Sequence, residues 1–451
     1  MDYQRLSFKR QMLQGSSLLF CLVLIARLSY PLEWESFSLQ WVSRLDPWLL
    51  LSRLRWQGNV PGWVWLPLLT IVVTLLWGRI FCGWLCPLGA FLSLTDKAGR
   101  TVLKSTAVLR DRALKRIAAI RYYWLLLLVL VFALGSGWTF FLTPFALLSH
   151  ELVRISQGAV PWLLLGLTAA TLLLSRIWCS VLCPTGVLLS LVARFRFSGY
   201  SIDEKCSHCK ICLKTCPVGA APGETGRAKE PCLLCGDCRG VCPSNSIRWQ
   251  LRSGSRKSQQ SMLRHSSLTS RQKSRRRFFK AAFAAAIAAV FWQETAAAAR
   301  KLLRPPGALP ELQFGAVCNR CSRCIQVCPG KALRPMPFTA GLTYFETPHI
   351  IPRQNRCDLC MACQEVCPTG AIRQMPLEKV KMGTALIDKP RCIAWQENKL
   401  CFICGEQCPV LAIDGDEHHR PRVLADKCVG CGSCENACPV DGEAAIRVLP
   451  K

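Results

Sequence analysis

This sequence has few histidines, far fewer acidic than basic residues, and no recognisable nucleotide-binding loop. Its 451 residues include six histidines, and only His150 lies near the long apolar segments, so a haem held there by two histidines is excluded. No glycine-rich nucleotide loop or flavin signature stands out. His150 and Glu151 could accept the protons of a quinol, but a histidine on the surface is the simpler interpretation.

Acidic residues are outnumbered by basic ones, 28 against 57, which gives a formal net charge of +29. Such an excess is typical of nucleic-acid binding. Here, however, the basic residues are concentrated between two apolar runs and in a block over 252–280, the kind of position where cytoplasmic loops of membrane proteins collect lysine and arginine. We therefore expect no nucleic-acid partner.

Four long apolar runs lie in the first 200 residues, each near the roughly 20 residues that cross a bilayer as a helix. They occupy residues 14–31, 63–80, 122–144 and 160–178. Basic residues precede the first run and fill the loop between the second and third, which predicts a cytoplasmic N-terminus. Residues 1–198 are thus predicted to form a four-helix transmembrane domain of a multi-pass protein in a bacterial inner membrane.

The second and fourth apolar runs are both followed by the pattern Cys-x3-Cys-Pro, which indicates an internal repeat. The first copy contains Cys82 and Cys86, and the second contains Cys179 and Cys183. These four residues are candidate ligands of a further metal ion or cluster. A redox-active set of thiols and a purely structural role are the alternatives.

The chain has 29 cysteines, and most of them follow a metal-binding spacing. The pattern Cys-x2-Cys-x2-Cys-x3-Cys-Pro occurs five times, and a looser sixth copy begins at Cys392. This spacing lets three cysteines wrap one face of a [4Fe–4S] cluster while the fourth reaches the neighbouring cluster. Zinc also binds four thiolates, but paired motifs that each end in Cys-Pro favour iron–sulfur clusters. Disulfides are a minor alternative in a long chain with this spacing.

Crossed ligation predicts six clusters in three pairs. The first pair is held by Cys206, Cys209, Cys212 and Cys242 and by Cys232, Cys235, Cys238 and Cys216. The second pair is held by Cys318, Cys321, Cys324 and Cys367 and by Cys357, Cys360, Cys363 and Cys328. The third pair is held by Cys392, Cys401, Cys404 and Cys438 and by Cys428, Cys431, Cys434 and Cys408.

Composition divides the remaining chain into further segments. A cytoplasmic two-cluster module is predicted over 199–250, followed by a flexible basic linker over 251–274. Residues 274–299 match a twin-arginine export signal with an alanine-rich apolar stretch that could be cleaved or kept as an anchor. Two periplasmic two-cluster modules are predicted over 300–376 and 377–451.

Two known families resemble this chain. Residues 15–250, with four apolar runs, two Cys-x3-Cys-Pro copies and a two-cluster module, are similar to membrane ferredoxins of the NapH and MauN type. Residues 270–451, with the twin-arginine segment, the stretch 303–308, the stretch 343–345 and the looser motif at Cys392, are similar to their NapG and MauM partners. The resemblance implies a fusion of both partners, with a four-helix membrane domain and three α+β bacterial-type ferredoxin modules.

The same resemblance implies the function. The chain is expected to carry electrons from membrane quinol to a periplasmic reductase or cytochrome, with membrane lipid, the quinone pool and the twin-arginine translocase as further partners. No catalytic residue is predicted, and at most the chain would oxidise quinol without a terminal substrate site of its own. The alternative is an accessory protein that supplies electrons for maturation of a metallo- or quinone enzyme.

Overall fold

The structure is a computed structural model. It describes residues 3–28, 30, 40–57, 61–102, 121–133, 137–224, 226–251, 301–341 and 343–451. Apart from its first residue, the predicted basic linker over 251–274 lies outside the described residues, and so does the predicted export signal over 274–299.

The N-terminal part of the chain is helical. Its helices are α1 Tyr3–Ala26, α2 Pro47–Gln57, α3 Trp65–Trp77, α4 Pro87–Val102, α5 Arg121–Ala133, α6 Trp138–Phe141, α7 Pro144–Ser156, α8 Trp162–Leu174 and α9 Pro184–Val192. Two short π-helical turns, Phe81–Leu85 and Trp178–Leu182, precede α4 and α9, and a 3₁₀ turn, Ala193–Phe195, follows α9.

The predicted transmembrane domain is wrong. Within the described residues, no helix combines the length and the apolar character that crossing a membrane requires. Three apolar runs form helices of 13 residues each, namely α3, α5 and α8, which span about 20 Å against a hydrocarbon core of about 30 Å. Gly78 and Ser175 end two of them with positive φ angles of 98° and 62°. The longest helix, α1, carries Lys9 and Arg10 in its first half. The predicted multi-pass location in the inner membrane is therefore corrected as well.

The internal repeat predicted from Cys-x3-Cys-Pro is visible in the backbone. In each copy a 13-residue helix ends in a residue of positive φ, a π-helical turn follows, and a helix begins at the proline after the second cysteine. The two copies thus present Cys82 and Cys179 on the π-helical turns and Cys86 and Cys183 directly before α4 and α9.

Three small α+β modules follow, each built around short antiparallel strand pairs. The first has strands β1 Ser198–Ile202 and β2 Ile247–Leu251, helices α10 Ile211–Thr215 and α11 Asp237–Gly240, and the 3₁₀ turn Pro222–Glu224. Its strands pair from Ser198↔Leu251 to Ile202↔Ile247. Both cysteine motifs of the module lie between these two strands along the chain.

The second module contains one strand pair. It has helices α12 Glu311–Val317, α13 Arg323–Val327 and α14 Ala362–Glu365, strands β3 Leu333–Pro335 and β4 Pro348–Ile350, and the 3₁₀ turns Phe338–Ala340 and Leu377–Lys379. The strands pair from Leu333↔Ile350 to Pro335↔Pro348.

The third module contains two strand pairs. It has strands β5 Gly383–Ile387, β6 Ile413–Gly415, β7 Pro421–Val423 and β8 Ile446–Pro450, with helices α15 Ile393–Gln396, α16 Ile403–Glu406 and α17 Ser433–Ala437. Strand β5 pairs with β8 and β6 with β7. Gly383 permits a close approach, because a Cβ there would lie 2.3 Å from the carbonyl oxygen of Leu449.

Helix α1 contacts the first module near one end and the second module near the other. Arg10 donates hydrogen bonds to the carbonyl oxygen of Cys235 and, at 3.0 Å, to Asp237 Oδ1. Fifteen residues further along, the carbonyl oxygen of Ile25 accepts a 2.8 Å hydrogen bond from Gln326 Nε2. At 1.5 Å per residue the two contacts are about 22 Å apart along the helix.

Candidate iron–sulfur sites

Four of the predicted ligand sets each line a separate cavity. In the first module, Cys206, Cys209, Cys212 and Cys242 line a cavity of 360 Å³, and Cys216, Cys232, Cys235 and Cys238 line one of 310 Å³. In the other modules, Cys328, Cys357, Cys360 and Cys363 line 360 Å³, and Cys392, Cys401, Cys404 and Cys438 line 360 Å³. Each cavity joins the last cysteine of one motif to three of its partner, which is the arrangement that crossed ligation requires. Ligation itself stays a prediction.

In the two other predicted ligand sets, neighbouring thiols raise each other's pKa, which shows that they lie close together. Burial and then the neighbouring thiols of Cys321, Cys318 and Cys367 raise the pKa of Cys324, so the three first cysteines and Cys367 are close. Burial, Cys431 and Cys428 likewise raise the pKa of Cys434. The predicted fourth member, Cys408, packs against the same apolar core.

The backbone of five motifs has a shared shape that explains how three thiols come to face one cavity. The residues before and after the middle cysteine have positive φ angles, for example 51° at His208 and 59° at Lys210. The other pairs are Leu234 and Gly236, Arg320 and Ser322, Leu359 and Met361, and Gly430 and Gly432. A left-handed residue other than glycine costs roughly 1–2 kcal/mol, and strain of this kind is typical of functional sites. The looser motif at Cys401 lacks these two residues.

Backbone N–H groups point at the fourth cysteine of several motifs. Ala220, Ala332 and Ala412 donate to the sulfurs four residues earlier, Cys216, Cys328 and Cys408, over 3.1, 3.4 and 3.2 Å. Hydrogen bonds to a sulfur stabilise its thiolate form. At Cys242, where burial alone would raise the pKa, hydrogen bonds from Ser246 and Ser244 lower the pKa to about 7. The donors therefore suit an anionic iron–sulfur group.

The four cysteines of the Cys-x3-Cys-Pro repeat also come together. Cys82, Cys86, Cys179 and Cys183 are buried and line one cavity of 310 Å³. Cys86 Sγ accepts a hydrogen bond from the Gly89 N–H over 3.4 Å, and Cys183 Sγ accepts one from the Gly186 N–H over 3.3 Å. Both sulfurs lie at the N-terminal end of a helix, where the helix dipole favours negative charge.

Two buried arginines, for which no role was predicted, lie near the thiols of this cavity. Arg79 and Arg176 each precede the first cysteine of their copy by three residues. Arg79 donates to the carbonyl oxygen of Cys179 and, over 3.1 Å, to Ser190 Oγ, while Arg176 donates to Ser93 Oγ. The sequence could have indicated a role for them, because an arginine occupies the same position in both copies of the repeat.

His150 is buried, contrary to the expected surface position. Its side chain is 2% exposed, Nδ1 lies 3.1 Å from Glu151 Oε1, and Nε2 lies 3.3 Å from Glu346 Oε2 of the second module. Arg154 Nη1 also lies 3.1 Å from Glu346 Oε1. Burial by itself would lower the pKa of His150, but hydrogen bonds to Glu151 and Glu346 raise it above the usual value.

In the described parts of the chain, the thiols line cavities and are not arranged as ligands around a single metal ion. Among the residues that the structure describes, no three His, Cys, Asp or Glu side chains form a group suited to a single metal ion. Four-thiol cavities of nearly equal size, with N–H donors directed at sulfur, fit a bound cluster of several atoms.

Comparison with known families identifies iron–sulfur domains along much of the chain. Models of a 4Fe-4S binding domain match residues 59–105 with 158–198, residues 203–219 and residues 421–442, and a model of a 4Fe-4S dicluster domain matches residues 317–372. No solved structure matches the chain significantly.

Curated relatives cover about a third of the chain. The methylamine utilization ferredoxin-type protein MauM of Methylorubrum extorquens is 41% identical over 167 residues, which are 34% of this chain and 74% of that protein. The ferredoxin-type protein NapG of Escherichia coli is 34% identical over 165 residues, which are 33% and 70% of the two chains. MauM of Paracoccus denitrificans is 36% identical over 165 residues, with 34% and 72% covered.

Cysteine-lined cavities in small α+β modules, together with these matches, define an iron–sulfur electron-transfer protein. Within that class, the chain belongs to the family of ferredoxin-type proteins that includes MauM and NapG. The resemblance of residues 15–250 to NapH and MauN stays a prediction.

Proposed function

We propose that this chain is a one-electron relay that holds six [4Fe–4S] clusters in three pairs. Bound clusters of this type supply one-electron oxidation and reduction at thiolate-ligated iron. The protein supplies fixed positions and hydrogen bonds to sulfur. The observation that supports the relay best is that the predicted ligand loops of the second and third modules contact each other directly.

The contact between the second and third modules is made by the ligand loops themselves. The backbone N–H of Cys357 donates a 3.0 Å hydrogen bond to the carbonyl oxygen of Cys431. Arg353 adds hydrogen bonds to the carbonyl oxygens of Glu435, Cys438 and Val440 over 3.2, 2.7 and 2.6 Å. Cluster ligands of two modules are thus joined by one hydrogen bond, which favours electron transfer between them.

We further propose an electron donor and an electron acceptor for this relay: a quinol supplies the electrons and a periplasmic reductase receives them. Oxidation of a quinol to a quinone releases two electrons and two protons, so it needs two one-electron acceptors and a base. A base near the second module is available in His150, which contacts Glu151 and Glu346. Paired cluster sites supply the two acceptors.

A second candidate is electron supply for enzyme maturation. Relatives named MauM are described as methylamine utilization proteins, and this chain could serve such a system by reducing a maturing cofactor. The two candidates differ in turnover, because a respiratory relay passes many electrons per chain whereas a maturation factor is needed only while its target is assembled.

The relay is tested with the full-length chain purified without oxygen. Six clusters require at least about 24 iron atoms and as many sulfides per chain, and all should be reduced by a quinol analogue or by dithionite. Cys360→Ala should remove one cluster and interrupt electron flow into the third module. Cys21→Ala, which changes a buried cysteine outside every predicted set, is the matched control. Zinc in place of iron, or undisturbed electron flow in Cys360→Ala, contradicts the proposal.

A further inference from the structure

The first and second modules contact helix α1 at two separate points, with a gap between them along the helix. The first module contacts helix α1 at Arg10 and the second contacts it at Ile25, about 22 Å further along the axis. Electron tunnelling weakens steeply with distance, so a redox centre between these two contacts would shorten each step from one module to the other.

The four-cysteine cavity lies in this gap. Between the two module contacts, α1 also touches the π-helical turn of the first Cys-x3-Cys-Pro copy. Gln14 Nε2 donates to the carbonyl oxygen of Gly83 over 2.6 Å, and Ser17 Oγ donates to that of Leu85 over 2.5 Å. The turn that carries Cys82 is therefore about 6–10 Å from Arg10 and about 12–16 Å from Ile25 along the helix.

The cavity adjoins the ligand loop of the first module. A Cβ at Gly83 would lie 2.0 Å from the carbonyl oxygen of Leu233, so only glycine allows this approach. Trp84 Nε1 donates to the neighbouring carbonyl oxygen of Leu234 over 3.2 Å. Since Cys82 and Cys232 are the residues directly before this contact, backbone dimensions place their Cα atoms within about 14 Å.

Helix α7 links the same cavity to the second module. Its first residue, Pro144, lines the cavity. Five residues on, or about 7.5 Å along the axis, Ser149 Oγ donates a 3.1 Å hydrogen bond to the carbonyl oxygen of Cys321. The cavity is thus next to ligand loops of both modules.

We propose that Cys82, Cys86, Cys179 and Cys183 bind a seventh [4Fe–4S] cluster, which connects the first module to the second. This inference rests on the proposed relay function. The match of residues 59–105 and 158–198 to a 4Fe-4S binding domain is compatible with it, whereas the ligands and the bridging position follow from the contacts above. The cluster accepts one electron from one neighbouring cluster and passes it to the other, so no further oxidant or reductant is needed.

The cavity resembles a predicted cluster site of the first module in size and has buried cations beside it. Its space of 310 Å³, open to solvent, equals the space lined by the set containing Cys216. An oxidised cluster with four thiolates carries a charge of about −2. Arg79 and Arg176 are 0% and 2% exposed, and each retains buried N–H groups without a hydrogen-bond partner among the described residues. These two buried cations with spare donors favour a buried anionic cluster, although the buried carboxyls of Asp46 and Asp96 also act on Cys183 and Cys179 and offset part of the positive charge.

Iron and sulfide analysis of the full-length chain, purified without oxygen, tests the proposal. The wild type should contain about 28 iron atoms, four for each of seven clusters. The double variant Cys86→Ala/Cys183→Ala should lose about four iron atoms and four sulfides, whereas Cys21→Ala should lose none. A wild-type content of about 24 iron atoms overturns the proposal without any variant, as does loss of a single metal atom without sulfide.

Electron transfer distinguishes failure of the bridge from failure of the relay. In the double variant a quinol analogue should still reduce the second module, while electrons should reach the first module at least tenfold more slowly. Unchanged transfer overturns the bridge. If Cys360→Ala also leaves transfer to the third module unchanged, the relay itself is wrong. Folding of the double variant is verified by retention of about 24 iron atoms.

Discussion

Replacing Arg79 by glutamine should lower the midpoint potential of the bridging cluster. The guanidinium lines the cavity, is fully buried, and donates to the carbonyl oxygen of Cys179. Reduction adds a negative charge to the cluster, and a nearby buried cation stabilises the reduced form more than the oxidised form. Arg79→Gln removes this cation but keeps a hydrogen-bonding side chain, so reduction becomes less favourable.

The size of the shift follows from Coulomb's law. A guanidinium bonded to a ligand residue lies roughly 7 Å from the cluster centre, and with an effective dielectric constant of about 20 the interaction with one added electron is about 2.4 kcal/mol. For a one-electron couple, about 1.4 kcal/mol corresponds to about 59 mV. The expected shift is therefore about 100 mV.

Potentiometric titration followed by electron paramagnetic resonance measures this shift. Arg79→Lys, which keeps the positive charge, is the control and should move the potential less than Arg79→Gln. The clusters of the third module should titrate as in the wild type. If Arg79→Gln retains its iron and the potential of no cluster falls, the assignment of Arg79 as the compensating charge is wrong.

Three other predictions concern the contacts between the parts of the molecule. Because the folded pKa of His150 is raised, its protonated form stabilises the contact with Glu346 below pH 6.5, and this stability is lost as pH rises through the folded pKa. The protection factor of amides at the contact, which corrects exchange for its base-catalysed intrinsic rate, should fall as pH rises, and His150→Gln should remove this fall. Cys216→Ser should remove the cluster held by the second motif of the first module, measured by iron content, and loss of the other cluster instead would refute crossed ligation. Gly83→Val should separate the first module from the helical part, because the valine side chain would overlap the carbonyl oxygen of Leu233. Limited proteolysis should therefore cleave this variant faster than the wild type, whereas the control Gly15→Val, with open space around it, should be cleaved at the wild-type rate.

How well the sequence predicts the structure depends on how local the responsible interactions are. The grouping of four cysteine sets around separate cavities was predictable, because ligand spacing and the proline after each fourth cysteine act within one short segment. The left-handed residues that five motifs share, such as His208 and Lys210, are local in the same way. The length of the apolar helices was not predictable. A hydropathy profile measures the length of an apolar run, but it does not show that Gly78 and Ser175 end the helix within the run by adopting positive φ angles. The burial of His150 was also unpredictable, since Glu346, its partner, is almost 200 residues away.

The order of the proposed centres depends on this long-range packing. Sequence places the Cys-x3-Cys-Pro copies before all three modules, which alone would put their cluster at one end of the relay. Helix α1 instead contacts the first module, the Cys82 turn and the second module in that order, at Arg10, Gln14 and Ile25. The helical part therefore lies between modules that follow it in the chain. Its two repeats each supply half of the ligands, so the bridging cluster would form only when both copies are folded against each other, and the path between the modules would open at that step.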